Sequence, residues 1–272
     1  MKRKLVLVTV IASMLVSGLT GCGSSAQTAT SSTTETATTA DAAVDTQTTG
    51  NDLNIMIETP VESLDPQIGQ DGTSFEVIAD FTDGLMQMDA EGSPVPAIAE
   101  SYEISEDGMT YTFHLRDDAK WSNGTEVTAA DFVFGWQRAV DPKNACEYSY
   151  MMSDIGQVKN AAEIIAGEKD KSELGVTALD DTTLQVELNV PVSYFLSLMY
   201  FPTFYPVNEE FYNTCADTFA SSPETTLANG AFMLDSYEPA ATTIHLTRNP
   251  YYYDADKIAL SGLHYQVIQD SQ

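Results

Sequence analysis

Few side chains in this chain have the type and spacing to do chemistry. His114, His245 and His264 lie far apart in the sequence. Asp117 and Asp118 form a carboxylate pair only on paper, because neighbours on an extended segment point to opposite sides. No GxSxG elbow, GxxxxGK[ST] loop, GxGxxG, HExxH or CxxC occurs. The expectation is a protein that is not an enzyme and needs no cofactor or metal. Cys146 and Cys215 leave two outcomes open, a disulfide across a long stretch or two free buried thiols. More promising is the Gly-, Gln- and Asp-rich stretch 67–73, placed between an expected strand and an expected helix. Loops at such junctions are where a rigid scaffold presents binding groups.

The elements that must position these residues centre on 111–138. Tyr111, Phe113 and Leu115 alternate with Thr112, His114 and Arg116, the period of a half-buried strand. Asn123 and Gly124 supply turn chemistry, and Thr128 stands three residues before Asp131, a capping arrangement for a helix start. In that helix Phe132, Val133, Trp136, Ala139 and Val140 share one apolar stripe, with Gln137 and Arg138 off it. Trp121 and Trp136 are expected in the core. Upstream, 53–57 reads as a first strand, 74–81 as a helix and 85–88 as a short strand. Hairpins are expected around Asp107–Gly108 and around Asp180–Asp181. Residues 158–166 read as a helix stopped at Gly167, and the apolar run 191–200 as a buried helix.

Composition sets the class. With 272 residues, 43% of them apolar, the chain can build a sizeable core. Lys plus Arg number 12 against 40 acids, and Lys2, Arg3 and Lys4 all precede the body. Such a surface repels phosphate backbones, so nucleic acid is not an expected partner.

The N-terminus reads as a targeting segment. A basic start precedes an apolar run, residues 5–16, too short to span a bilayer. Leu19, Thr20, Gly21 and Cys22 look like a bacterial lipobox, which makes 1–21 a lipoprotein signal peptide and Cys22 the expected point of lipid attachment, holding the protein in the membrane through its acyl chains. Residues 22–51 are Ser-, Thr- and Ala-rich and lack material for a core. As a flexible tether they would reach about 30 Å. A glycosylated stalk is the competing reading of this tract.

Several linked strings then point one way. SLDP at 63–66, DGL at 83–85, YTFHLR at 111–116, KWS, NGT, VTAADFVF and WQR up to 138, PVSYF at 191–195, NGAF at 229–232 and RNPYYYD at 248–254 occur in this order. Together they resemble the extracytoplasmic solute-binding proteins, family 5, of the oligopeptide and dipeptide ABC importers, over nearly everything from Leu53 onward. The resemblance implies an α/β fold of the type II periplasmic-binding-protein kind. Lobe I would comprise 52–84 and 207–272, a mixed-sheet lobe with a small α+β subdomain, 85–206, inserted. It also implies a second lobe beyond residue 272, so the chain reads as truncated.

Function is implied in the same way. The expected role is to capture oligopeptides by main-chain hydrogen bonds, as in β-strand addition, for delivery to permease subunits in the membrane. Carried over by position, the ligand-binding residues are Gln70, Asp71, Gly72, Thr73 and Tyr148. Gly72 would let a ligand backbone approach closely. Gln70 departs from the family, where an acid often stands, so help for a cationic ligand terminus would fall to Asp71 or the second lobe. Other solutes fit the same scaffold: a dipeptide, a metal chelate, haem or an oligosaccharide. A surface peptide sensor or adhesin is the reading from another class. The implied location is the extracytoplasmic face of a bacterial membrane.

Overall fold

The computed structural model describes residues 51–238 and 242–268. The signal peptide, Cys22 and all of the tether but Asn51 therefore lie outside the described residues. In chain order the elements are β1 (Leu53–Ile57), α1 (Gly72–Phe81), β2 (Met86–Met88), β3 (Pro94–Pro96), β4 (Ala99–Ile104), β5 (Thr110–Leu115) and α2 (Ala129–Val140). They continue with α3 (Ala161–Ile165), β6 (Val176–Asp180), β7 (Thr183–Glu187), α4 (Glu209–Cys215), β8 (Phe232–Ser236), β9 (Thr243–Arg248) and β10 (Gly262–Val267).

Two four-stranded sheets carry the chain. One has the order β1-β10-β9-β8, with β1 parallel to β10 and the other pairs antiparallel. The other, β4-β5-β7-β6, is antiparallel throughout. The buried apolar side chains divide accordingly. One cluster takes residues from Leu85 to Phe204, including Trp121, Trp136, Phe113 and Phe195. The second takes residues from Ile57 to Phe81 and again from Tyr205 to Val267. The main chain thus leaves one core after Phe81 and re-enters it at Tyr205.

Local sequence explains most elements. On β5 the alternation buries Tyr111, Phe113 and Leu115 and leaves Thr112 and His114 half-buried. Each fully buried large apolar side chain contributes roughly 1.5–3 kcal/mol. At α2 the Thr128 N–H donates to Asp131 Oδ2 at 2.9 Å, the expected cap, and the same oxygen accepts from Trp121 Nε1 at 3.0 Å. The apolar stripe faces the core, and Trp136 donates from Nε1 to the Phe204 carbonyl at 2.7 Å. Both tryptophans are buried.

Two expectations need correction. The run 191–200 is not a buried helix but a 3-10 turn at Phe195–Leu198, with Tyr194 and Tyr200 exposed. Pro202 forces the residue before it into an extended conformation, and the buried Val192, Phe195 and Leu198 repeat every three residues, the period of a 3-10 turn. The expected helix over 158–166 shortens to α3, because Asn160 takes a left-handed conformation with φ of 66° just before it. Cys146 is buried, Cys215 partly so, and both thiols are free. No described helix is long and apolar enough to cross a membrane.

Candidate ligand-binding edge

The stretch after β1 is organised by a buried ion pair. Arg138, 4% exposed on α2, places Nη2 at 2.7 Å from Asp65 Oδ2 and Nη1 at 3.2 Å from Asp65 Oδ1. Nη1 also donates to Gln67 Oε1 at 2.5 Å, and Gln67 Nε2 donates to the Tyr205 carbonyl. The guanidinium lies over the Tyr212 ring at 4.4 Å. Asp65 closes the turn itself: its carbonyl accepts from the N–H groups of Ile68 and Gly69 at 3.0 and 2.8 Å. The acidic residue of SLDP and the basic residue of WQR are therefore partners. Sequence periodicity placed Arg138 off the apolar stripe and gave no sign of its burial. The available signal was an arginine within a motif, in a body with few cations.

From this turn the chain reaches the residues expected to meet a ligand. Gln70 and Gly72 are exposed, and Asp71 and Thr73 partly exposed. Asp71 caps α1, accepting from Ser74 N–H at 2.8 Å and from Ser74 Oγ at 2.5 Å. Thr73 Oγ1 lies 2.9 Å from Thr59 Oγ1. A Cβ added at Gly72 would meet nothing within 4 Å, so no part of the described chain requires a glycine there. Tyr148 arrives from the break after α2 and points its hydroxyl at the Gln70 carbonyl, 3.4 Å away. That contact is long for a hydrogen bond. Around it stand Phe75 and Phe201, with ring centroids 5.2 and 5.4 Å from Tyr148, and the exposed Tyr150 at 5.8 Å. The structure thus brings all five expected residues to one edge and adds an aromatic cluster.

The break that delivers Tyr148 is irregular. Ala145 adopts φ of 51° in the left-handed region, and Met151–Ile155 forms a π-helical turn. Both forms are uncommon and cluster near functional segments.

A second set of motif residues does something else. Asp83 accepts from Tyr253 Oη at 3.0 Å, and its backbone is clasped by Asn229, which donates from Nδ2 to the Asp83 carbonyl and accepts the Asp83 N–H at Oδ1. Asn249 Nδ2 donates to the Gly230 carbonyl at 2.9 Å. Arg116 stacks on Tyr253 at 3.6 Å and pairs with Asp118 at 2.6 Å, which lowers the Asp118 pKa. A Cβ on Gly230 would stand 2.8 Å from the Phe81 backbone, so DGL, NGAF and RNPYYYD pack as one seam. Burial pushes the Asp83 carboxyl up to about 6 against the pull of its tyrosine hydrogen bonds. Asp80, bonded to Tyr265, is likewise raised by burial to about 6.

The remaining candidates do not converge. His114 sits on β5, while His245 and His264 are neighbours across β9 and β10, their rings tilted by 51° with centroids 5.8 Å apart. His245 Nδ1 lies 2.9 Å from Asp235. Among the described residues no group of three or more His, Cys, Asp or Glu side chains is arranged to hold a metal ion.

A mixed-sheet α/β scaffold thus gathers a polar loop and a tyrosine at one exposed edge. The sequence signature of the "Bacterial extracellular solute-binding proteins, family 5 Middle" matches residues 93–272, and the chain belongs to that family. It is 41% identical over 209 residues to the probable deoxycholate-binding periplasmic protein YgiS of Escherichia coli, covering 77% of this chain and 38% of YgiS. It is 40% identical over 205 residues to the periplasmic oligopeptide-binding protein OppA of Salmonella typhimurium, covering 75% of this chain and 37% of the relative. Among solved structures, Listeria monocytogenes OppA bound to peptide superposes with a TM-score of 0.78 at 39% identity, over 82% of this chain and 44% of that one. The chain thus spans about two fifths of the length of these relatives. Its fold is the α/β, type II periplasmic-binding-protein kind expected from the sequence.

Proposed function

We propose that this chain is part of the substrate-binding lipoprotein of an ABC importer, that it captures oligopeptides, and that it has no catalysis of its own. The observation that carries the reading is the convergence of Tyr148 on the Gln70 carbonyl at the exposed edge. A long, loosely made contact there is what an extended ligand backbone would replace with a better one, by main-chain pairing. Gln70, Asp71, Gly72 and Thr73 are proposed as the loop side of the site and Tyr148 as its aromatic side. Residues 85–206 are proposed as a subdomain inserted in a lobe made of 52–84 and 207–272; the division of the apolar clusters near Phe81 and Tyr205 supports it. Closure of two lobes on the ligand would present the loaded form to membrane permease subunits. Attachment through Cys22 would keep it at the extracytoplasmic face.

A second reading has its own support. YgiS is named for deoxycholate, and the Tyr148, Tyr150, Phe75 and Phe201 rings offer an apolar surface beside the loop. A flat amphiphile would rest on those rings and use Tyr148 as its polar contact. Calorimetric titration separates the two. A pool of tri- to pentapeptides and, separately, deoxycholate are titrated into the chain from Asp52 onward and into the mature product of its gene. Saturable binding of peptide by the mature product supports the first reading. Binding of deoxycholate alone replaces it with the second, and binding of neither by a folded protein overturns both.

A further inference from the structure

The two sides of the open edge come from distant parts of the chain. The Gln70 loop comes from the segment after β1 and Tyr148 from the break after α2, so they are 78 residues apart in the chain. The hydroxyl contact between them, at 3.4 Å, is too weak to set their separation, and the edge-on packing of Tyr148 against Phe75, centroids 5.2 Å apart, ties the ring to α1 and not to Gln70 itself.

We infer that Arg138 is the positioning residue of this edge, its buried guanidinium and its own carbonyl fixing the Gln70 loop and the Tyr148 break to the same turn of α2. The inference rests on the proposed binding role of that edge. On the loop side, the planar fork meets both Asp65 oxygens and Gln67 Oε1 at once. Asp65 passes this placement to the backbone, because its carbonyl accepts from Ile68 and Gly69, the two residues before Gln70. Gly69 is held in turn against α1, where a Cβ would come within 3.2 Å of the Phe75 ring. On the other side, the Arg138 carbonyl accepts from Asn144 Nδ2 at 2.9 Å. Asn144 precedes Ala145, whose left-handed backbone turns the chain into the segment bearing Tyr148. The contacts therefore close a ring from Arg138 through Asp65, Gln70, Tyr148 and Asn144 back to Arg138.

The type of residue matters. A lysine would keep the charge but has no fork to meet three acceptors in one plane, nor a flat face to lie on Tyr212. A plain core ion pair would make a different demand. Pairs of that kind can be exchanged for apolar residues of similar volume with little loss of stability. If Arg138 positions the edge, such an exchange preserves folding and still damages the site.

The test is a double-mutant cycle on the mature product of the gene, using the tightest binder from the tri- to pentapeptide pool. Tyr148→Phe is made in the native background, in Arg138→Lys and in the apolar pair Asp65→Leu/Arg138→Met, with Val186→Ala as a control that destabilises the core under α2 without removing a hydrogen bond of Arg138. Arg138→Lys is expected to weaken binding roughly 10- to 100-fold, as misplacement of a binding group does. In both Arg138 backgrounds Tyr148→Phe should then have little further effect, while in Val186→Ala it keeps its full effect. Penalties that simply multiply in every background would overturn the inference. Amide hydrogen exchange reads the same point without ligand. Protection should fall together at Ile68, Gly69 and Ser149 in Arg138→Lys, with the sheet amides around Val186 and Leu246 unchanged. Uniform loss, or loss on one side only, would sink it. If the native protein binds no peptide, the binding role fails, and the exchange pattern alone decides whether Arg138 ties the two segments.

Discussion

The seam at Asp83 and the edge at Gln70 are both built from motif residues, yet they treat their polar groups in opposite ways. At the seam Asp83 bonds to Asn229 and Tyr253, Asn249 bonds to the Gly230 carbonyl, and Asn229 and Asn249 are fully buried. At the edge Gln70 and Gly72 face solvent, and among the described residues the Gln70 side chain has no hydrogen-bond partner. A polar group removed from water must be paired within the fold, and one left in water is free for a ligand. A string of motif residues is therefore not by itself a binding site. What separates the two regions is whether the chain already satisfies them.

Substitutions can break or sharpen that contrast. The largest loss of stability is expected from Arg138→Met alone, about 3–5 kcal/mol, because it strands Asp65 as an uncompensated buried charge. Urea unfolding of the chain from Asp52 onward would measure it, and a shift below 1 kcal/mol would mean that Asp65 finds water. Gly230→Ala should follow at about 2–3 kcal/mol, since the new methyl meets Phe81 and Thr82 backbone rather than a yielding side chain. Asn249→Ala should cost about 1–3 kcal/mol by leaving the buried Gly230 carbonyl without its donor.

The acid groups give a smaller, signed effect. Asp83 holds its proton up to about pH 6 when folded, whereas an unfolded aspartate releases it near 3.9. Between those values the folded state binds more protons, so stability falls as pH rises from about 4 to 6 and is flat above. Asp83→Asn keeps an acceptor for Tyr253 and should remove about 2 kcal/mol of the stability difference between pH 4.5 and 6.5, read from urea midpoints. An unchanged slope would assign the effect to Asp80 alone. Tyr148→Phe should be the mildest of all in stability, within about 0.5 kcal/mol of the native protein. Its effect belongs in peptide affinity, a loss of about tenfold for one hydrogen bond. A thermal shift as large as that of Asn249→Ala would move Tyr148 into the seam's class.

Much of this protein can be read along the chain. The alternation at 111–115, the Thr128–Asp131 cap and the stripe of α2 are set by neighbours within four residues, so sequence alone fixes them. The linked strings likewise point to the family through residue type and order alone. The 3-10 turn at 195–198 was not legible, because an apolar run has no period that distinguishes a buried helix from a chain folded over the core.

The tertiary structure decided the roles. That Asp65 answers Arg138 across 73 residues, and that Asp83 answers Asn229 and Tyr253 across 146 and 170, cannot be deduced from spacing. Local sequence specifies φ, ψ and which face is apolar. Which buried charge meets which partner depends on how the faces stack, and only the packed chain contains that information.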